Sequence, residues 1–300
     1  MNCIADLLKT ARSAIEQQQI SDSAQLDAEL LLAFCLQQSR TYLYTWPEKV
    51  PSETQQACFN ERLQQRLAGQ PIAHLTGERE FWGLNLTVTA DTLIPRPDTE
   101  ILIETALNKL PSNTNNPSNQ SLNITNGLSE TEQACSILDL GTGTGAIALA
   151  LKSERPNCDV HAVDFSLAAL NVAKQNALNH QLAVNFTQSS WFEQLNPQFR
   201  FDFIVSNPPY IEEQDPHLNV GDVRFEPISA LTAGKDGLED LRIIIEQACS
   251  FLQNNGWLMV EHGYNQADKV QALFELHGYQ QIETIQDYAH NPRITIGQKV

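Results

Sequence analysis

From residue 136 onward, apolar runs typical of strands alternate with runs typical of helices. The predicted strands cover 136–140, 160–164, 184–188, 201–206, 257–261, 280–286 and 293–296, the last two as a hairpin. The predicted helices cover 146–152, 166–180, 238–253 and 266–277. Strands separated by helices form a mostly parallel sheet covered on both faces, and such sheets bind ligands beyond the carboxyl ends of their strands. We therefore expect an α/β fold with a seven-stranded sheet and functional residues directly after its strands.

The chain before this region follows other patterns. Residues 1–75 have apolar spacings of three and four and no good strand runs, which predicts a helical N-terminal domain. Residues 76–95 contain a short alternating stretch, which indicates a β-hairpin linker. The α/β domain then covers 96–300, and within it the Asn- and Ser-rich segment 111–134 predicts a flexible surface insertion.

A proline-containing segment, Ile94 to Glu100 (IPRPDTE), opens the α/β domain. Its two prolines restrict the backbone to extended conformations. Asp98 or Thr99 is then expected to cap a helix that reaches Leu110.

Charge and composition restrict the partners. The 300 residues include 36 acidic and 19 basic ones, for a net charge of −17, which argues against binding nucleic acid through a general basic surface but leaves a local basic patch possible. The six cysteines form no CxxC motif and no zinc-type spacing with histidine, so we expect no metal site. No apolar run is long enough for a signal peptide core or a membrane span, which predicts a soluble, cytoplasmic protein with no membrane partner.

A glycine-rich turn follows the strand at 136–140, in the run Leu138 to Gly145 (LDLGTGTG). Its glycines let the backbone turn sharply and let a ligand come close, and the next helix adds the partial positive charge of its N-terminus. Asp164 ends the following strand, where a carboxylate accepts hydrogen bonds from ribose hydroxyls. This pattern fits either a nicotinamide cofactor or S-adenosylmethionine, and the three alternating glycines favour S-adenosylmethionine.

The strand at 201–206 ends in a second motif, Asn207-Pro208-Pro209-Tyr210. The Asn207 side-chain oxygen and the Pro208 carbonyl are two acceptors for the N–H groups of a planar nitrogen, whose delocalised lone pair makes it a poor nucleophile. The prolines stiffen the loop, and Tyr210 supplies a flat face for stacking. The motif therefore indicates methyl transfer to an amide or an exocyclic amino group.

The chain resembles the release-factor glutamine methyltransferases of the HemK/PrmC type over nearly its whole length. The NPPY run alone is shared with DNA and RNA amino-methyltransferases, whereas the IPRPDTE segment joined to an N-terminal helical domain is much more specific to this family. The matching segments are 71–77, 80–83, 93–100, 138–145, 191–192, 207–210, 225–227, 230–231, 237–238 and 261–263.

The resemblance implies a Rossmann-like S-adenosylmethionine-dependent domain that methylates the glutamine of the Gly-Gly-Gln motif in class I peptide-chain release factors. It implies that the helical domain helps to bind that protein substrate. The cofactor-binding residues it implies are Gly141, Thr142, Gly143, Thr144, Gly145, Asp164, Trp191 near the adenine, and Asn207. The residues it implies around the target glutamine are Asn207, Pro208, Pro209 and Tyr210, of which Asn207, Pro208 and Tyr210 are the expected catalytic residues.

Two departures from the family pattern are visible. His74 stands where the family commonly has tyrosine, and the 111–134 insertion is longer than usual. The sequence also leaves the roles of Arg96, Glu226 and Glu261 open between site and structure.

Three alternatives remain at this stage. An adenine amino-methyltransferase acting on DNA or RNA would use the same NPPY chemistry on a flipped base, although the charge of −17 favours a protein substrate. A nicotinamide-dependent oxidoreductase would leave the NPPY segment without a role. A binding module without activity would leave the glycine turn, Asp164 and NPPY together unexplained.

Overall fold

The computed structural model describes residues 2–110 and 135–300, so the segment predicted to be an insertion lies outside the described residues. The chain divides into two compact units. The first contains Met1–Arg79, Val88–Ala90 and Gln214–Glu226. The second contains Glu80–Thr87, Asp91–Glu213 and Pro227–Val300.

The first unit is helical. Its helices are α1 Ile4–Gln17, α2 Ala24–Leu36, α3 Arg40–Thr45, α4 Glu53–Leu67 and α5 Ile72–Thr76. A capping box begins α4: Gln55 N donates to Ser52 Oγ at 3.2 Å, and Ser52 N donates to Gln55 Oε1 at 3.0 Å. The short helices α3 and α5 were not predicted, because six and five residues are too few to show a helical period.

A buried arginine ties the later segment of this unit to its helices. Arg66, in α4, donates through Nε to Asp27 at 2.9 Å and through Nη1 to Asp222 at 2.9 Å. Arg66 is 4 % exposed, so these two carboxylates compensate the charge of a guanidinium that has lost its water.

The second unit contains a seven-stranded sheet within the described residues, with strand order β5-β4-β3-β6-β7-β9-β8. The strands of this sheet are β3 Ser136–Leu140, β4 Asp159–Asp164, β5 Asn185–Gln188, β6 Phe201–Ser206, β7 Leu252–Glu261, β8 Gln280–Gln286 and β9 Pro292–Gln298. Two earlier strands, β1 Glu78–Phe81 and β2 Leu84–Thr87, form a separate two-stranded sheet. The helices are α6 Glu100–Lys109, α7 Ala146–Glu154, α8 Leu167–His180, α9 Glu239–Phe251 and α10 Ala267–Leu276. Strands β3 to β7 pair in parallel and β9 is antiparallel to both neighbours, which confirms the predicted fold class.

The order of the strands locates the binding edge. The chain runs from β3 outward to β4 and β5, then returns to β6 on the other side of β3. The carboxyl ends of β3, β4 and β6 therefore meet at the point where the winding reverses, where open α/β sheets bind ligands.

Side chains along the central strands alternate between two hydrophobic clusters. In β3, Ile137 belongs to one cluster, whereas Leu138 and Leu140 belong to the other. This period of two buries both faces of the sheet and explains why its strands are continuous apolar runs.

Two local predictions were wrong. Strand β7 begins at Leu252 rather than at residue 257, the start predicted from the sequence. Its pairing with β6 already includes Leu252, and the register shifts between Leu252 and Trp257. Neither Asp98 nor Thr99 caps α6, and Thr99 stands at the N-cap position without a side-chain capping bond. The Thr99 hydroxyl instead donates to Glu261, at the end of β7.

Across residues 2–110 and 135–300, no helix combines the length and the hydrophobicity that crossing a bilayer requires.

Candidate functional site

Three adjacent strand ends bring the sequence motifs together. Leu140, the last residue of β3, pairs with Val163 of β4 on one side and with Ser206 of β6 on the other. Thr142 N donates to the Val163 carbonyl at 2.9 Å, and Ser206 Oγ donates to the Leu140 carbonyl at 2.8 Å. The glycine turn, Asp164 and Asn207 thus leave the sheet side by side.

The glycine turn depends on its glycines at two positions. Gly141 has φ +71°, and a Cβ there would lie 3.4 Å from the Trp191 indole. Gly145 has φ +84°, and a Cβ there would lie 3.2 Å from both Ala173 and Leu149. A side chain at either position would strain the backbone, and at Gly145 it would also push the turn away from α8.

Asp164 fixes this turn. Its Oδ2 accepts from Gly143 N at 2.8 Å, and its Oδ1 accepts from Ser166 N at 2.8 Å. Burial raises the pKa of Asp164, and these two hydrogen bonds partly oppose that rise. Each carboxylate oxygen has a further lone pair, so Asp164 can hold the turn and accept from a ligand hydroxyl together.

Asp139 lies beneath the turn, fully buried. Its Oδ2 accepts from Thr142 Oγ1 at 2.6 Å and from Ala148 N at 3.2 Å, whereas its buried Oδ1 has no hydrogen-bond partner among the described residues. Desolvation raises the pKa of Asp139 to about 7. An unpartnered buried acceptor next to a glycine turn fits a ligand that brings a hydrogen-bond donor. Asp139 belongs to the LDLGTGTG run, two residues before Gly141, but the sequence assigned it no role.

Trp191 covers one side of the turn. Its indole lies against Gly141, and its Nε1 donates to Asp240 Oδ1 at 3.1 Å. Ser189 N donates to the Asp164 carbonyl at 3.0 Å, and Ser189 Oγ donates to the Trp191 carbonyl at 2.8 Å, so the Trp191 loop is tied to the end of β4.

Phe165 was also missed by the sequence analysis. It follows Asp164 directly and is 75 % exposed, which is unusual for a phenylalanine. An exposed aromatic ring beside the carboxylate that is expected to bind ribose offers a stacking face for a planar base. Its position directly after Asp164 places it near the site, but a single position in the sequence does not reveal that the ring is exposed.

A hydrogen-bond chain connects the NPPY loop to Glu261. Asn207 Nδ2 donates to Thr99 Oγ1 at 3.0 Å, and Thr99 Oγ1 donates to Glu261 Oε2 at 2.8 Å. Tyr210 Oη donates to the other carboxylate oxygen, Oε1, at 3.3 Å. The loop that bears both predicted acceptors is thus held at two residues by one carboxylate.

Glu261 is buried, and the Arg293 guanidinium acts on its charge. Burial raises the pKa of Glu261 to about 7, against the opposing effects of Thr99, Arg293 and Tyr210. The Arg293 guanidinium lies 3.3 Å from Asp98 and 3.0 Å from Asp287. Burial likewise raises the pKa of the Tyr210 hydroxyl, so this phenol stays protonated and donates.

Hydrogen bonds from residues outside the NPPY loop fix the backbone at its Tyr210 end. Gln266 Nε2 donates to the Tyr210 carbonyl at 3.0 Å and to the Gly237 carbonyl at 3.3 Å. A Cβ on Gly237 would lie 2.3 Å from the Tyr210 carbonyl oxygen, so only glycine fits there. Ile211 N donates to the Leu231 carbonyl at 2.9 Å and continues this support beyond the loop.

The structure distinguishes the three residues whose roles the sequence left open, Arg96, Glu226 and Glu261. Glu261 lies in the site, whereas Glu226 belongs to the first unit, where it is buried. The Arg96 charge acts on the Tyr210 hydroxyl and favours its ionised form. Among the described residues, no group of three or more His, Cys, Asp or Glu side chains is arranged to hold a metal ion.

Two family models match the sequence. The PrmC N-terminal domain matches residues 6–77, and the methyltransferase small domain matches residues 122–229. These two matches coincide with the helical region and with the first half of the sheet.

Curated relatives match nearly the full chain. A protein of Aliivibrio fischeri named release factor glutamine methyltransferase is 50 % identical over 281 residues, which are 93 % of this chain and 92 % of the relative. A protein of Escherichia coli with the same name is 47 % identical over 287 residues, which are 95 % of this chain and 96 % of the relative.

Among solved structures, a methyltransferase from Pyrococcus furiosus superposes with a TM-score of 0.52. The match covers 80 % of this chain and 98 % of that one at 17 % identity, and therefore concerns the fold alone.

Proposed function

The chain belongs to the release factor glutamine methyltransferases, and we propose from this membership that its target is the Gly-Gly-Gln glutamine of class I peptide-chain release factors, with S-adenosylmethionine as methyl donor. The chain is thus a methyltransferase that acts on a glutamine side chain. The proposal also includes a cytoplasmic location and a role for the helical unit in binding the release factor.

One observation supports the glutamine chemistry above the others. The side-chain Nδ2 of Asn207 donates a hydrogen bond to Thr99 Oγ1, which leaves Oδ1 as the acceptor available to a substrate. Pro208 follows directly, and its carbonyl is the second acceptor of the proposed pair. Two acceptors match the two hydrogens of a primary amide, and holding both orients the nitrogen lone pair for attack.

The residues present fit S-adenosylmethionine. Asp164 keeps free lone pairs for ribose hydroxyls, and the unpartnered Asp139 Oδ1 matches a ligand donor near the turn. Trp191 and Phe165 offer aromatic faces on the side expected for the adenine. When bound, S-adenosylmethionine supplies a methyl group on a positively charged sulfur.

In this proposal, Gly141, Thr142, Gly143, Thr144 and Gly145 shape the backbone against the methionine part. Asn207 contacts both the cofactor and the target, which sets the distance between them. Pro208 and Pro209 keep the loop rigid, and the Tyr210 ring stacks on the planar amide.

The chain needs to supply no strong general base. A primary amide nitrogen that gains a methyl group carries a positive charge and still bears two protons, so one of them is strongly acidic and is released to water. The residues around Asn207 therefore act mainly by orientation, which accounts for large rate effects in two-substrate reactions.

A competition experiment tests the proposal. The purified protein is incubated with S-adenosylmethionine bearing a tritiated methyl group, and with a class I release factor, DNA or RNA. We expect the label in the release factor and none in the nucleic acids, and label in adenine instead would establish the alternative.

Asn207→Ala should lower the transfer rate by about 100-fold or more, the range typical for a lost oriented hydrogen-bond partner. The matched control is Asn179→Ala, at an exposed position of α8. A rate near the wild-type value in Asn207→Ala would refute the assigned role.

A further inference from the structure

We infer that Thr99 and Glu261 are positioning residues that fix which end of the Asn207 side-chain amide faces the substrate. The inference rests on the proposed function and deepens it, because neither residue needs to touch the substrate or the cofactor. It concerns the direction of each hydrogen bond in the chain Asn207–Thr99–Glu261.

The direction follows from the protons available. An ionised carboxylate only accepts hydrogen bonds, and a threonine hydroxyl has one proton to donate. Since Thr99 gives that proton to Glu261 at 2.8 Å, its oxygen can only accept from Asn207, at 3.0 Å. The nitrogen end of the Asn207 amide is therefore committed to Thr99, and the oxygen end faces the opposite way.

The reverse orientation would disable the site. If Thr99 donated to Asn207, the amide would present its NH₂ group to a substrate nitrogen that also bears hydrogens. Donor would then face donor, and the first of the two proposed acceptors would be lost. The ionised carboxylate of Glu261 prevents this reversal.

Strand pairing places Glu261 next to the residue that it helps to orient, Asn207. Ser206 pairs with Val260, so Asn207, one residue past the end of β6, lies next to Glu261, the last residue of β7. The second carboxylate oxygen accepts from Tyr210 at 3.3 Å, so one buried group orients both ends of the loop Asn207–Tyr210.

The inference predicts a pH dependence, since the chain of bonds needs an ionised acceptor. The titratable and charged groups around this carboxylate are Asp98, Tyr210, Arg293 and His262. Burial holds the pKa of Glu261 at about 7 and lowers that of His262, so the carboxylate changes charge near neutrality. We expect kcat to fall as the pH drops through about 7.

The principal test removes the hydroxyl. Thr99→Val keeps the shape of the side chain, and we expect kcat to fall by about 100-fold, as for a lost oriented partner. The dissociation constant for S-adenosylmethionine should change less than about twofold, and Thr99→Ser should recover most of kcat. The matched control is Thr105→Val, since this buried Thr105 hydroxyl donates within α6, to the Ile101 carbonyl at 2.7 Å.

The pH profile distinguishes positioning from a merely structural role. In Thr99→Val and in Glu261→Gln, the inflection of kcat near neutral pH should disappear. A wild-type profile in both variants, or a Thr99→Val kcat within about twofold of wild type, would overturn the inference while leaving the proposed function intact. Complete inactivity of the wild-type protein on release factors would instead refute the proposed function.

A measurement without turnover tests the direction itself. Neutron diffraction from perdeuterated crystals of the full chain at pH 8 should show the Thr99 deuterium on the line to Glu261. Two deuterium atoms should also lie on the Asn207 atom that faces Thr99. A Thr99 deuterium directed at Asn207 would overturn the inference whatever the substrate is.

Discussion

Gly237 allows a sharp test of how the NPPY loop is supported. Its φ is +67°, and a Cβ there would lie 2.3 Å from the Tyr210 carbonyl oxygen and 2.8 Å from Gln266 Nε2. Backbone oxygen does not yield as a flexible side chain does, so Gly237→Ala must displace the Tyr210 backbone. Restoring an ordinary contact requires a displacement of about 1 Å, and a misplacement of that size can cost about 100-fold in rate.

Gly278 is the matched control. It has φ +79°, and a Cβ there meets no atom of the described residues within 4 Å. Gly278→Ala therefore has the same left-handed backbone strain, about 1–2 kcal/mol, without any overlap. Both variants should lose that stability, whereas Gly237→Ala alone should also displace the loop.

The assay compares two quantities for both variants. Thermal unfolding measures the stability loss, and the initial rate of methyl transfer to a release factor, at saturating substrates, measures the displacement. We expect kcat to fall about 100-fold in Gly237→Ala and to stay within about twofold of wild type in Gly278→Ala, because its φ strain involves no contact with the loop. Equal rates in the two variants would refute the idea that Gly237 sets the position of Tyr210.

Three further predictions follow from the site. Asp164→Asn replaces one of two acceptor oxygens by a donor that faces a backbone N–H. The affinity for S-adenosylmethionine, measured by calorimetry, should therefore fall at least about tenfold. An unchanged affinity would contradict the role of Asp164. Asp240→Ala leaves the Trp191 indole nitrogen without its partner and should weaken the same affinity by several-fold with little change in kcat, and a purely kcat effect would contradict this. The pKa of Glu261 is raised from 4.5 to about 7 by folding, so its stabilising contribution is complete below its ordinary pKa and is lost as the pH rises through about 7. The free energy of unfolding should therefore fall by about 3 kcal/mol more in wild type than in Glu261→Gln between pH 4 and pH 9, and parallel pH profiles in urea denaturation would contradict the assignment.

The features that could be predicted from the sequence are those that depend on residues close together along the chain. Strand and helix alternation gave the fold class, and the glycine turn and the NPPY run stood directly after predicted strands. The structure brings Gly141, Asp164 and Asn207 to adjacent strand ends because β3, β4 and β6 pair in parallel. Their roles toward cofactor and glutamine stay predictions.

What the sequence missed depends on partners far along the chain. Thr99 looked like a helix cap, because capping residues are recognised by their place before a helix. Its actual partner, Glu261, is 162 residues away, and no local pattern records that contact. Glu261 stayed undecided for the same reason, and Phe165 was missed because exposure cannot be read from a single position.

The most direct measurement is mass spectrometry of a class I release factor after incubation with the purified protein and S-adenosylmethionine. We expect the peptide containing Gly-Gly-Gln to gain the mass of one methyl group, with fragmentation assigning that group to the glutamine side chain. The same peptide should stay unmodified with Asn207→Ala. An unmodified peptide with the wild-type protein, or a methyl group on another residue, would show that this glutamine is not the target.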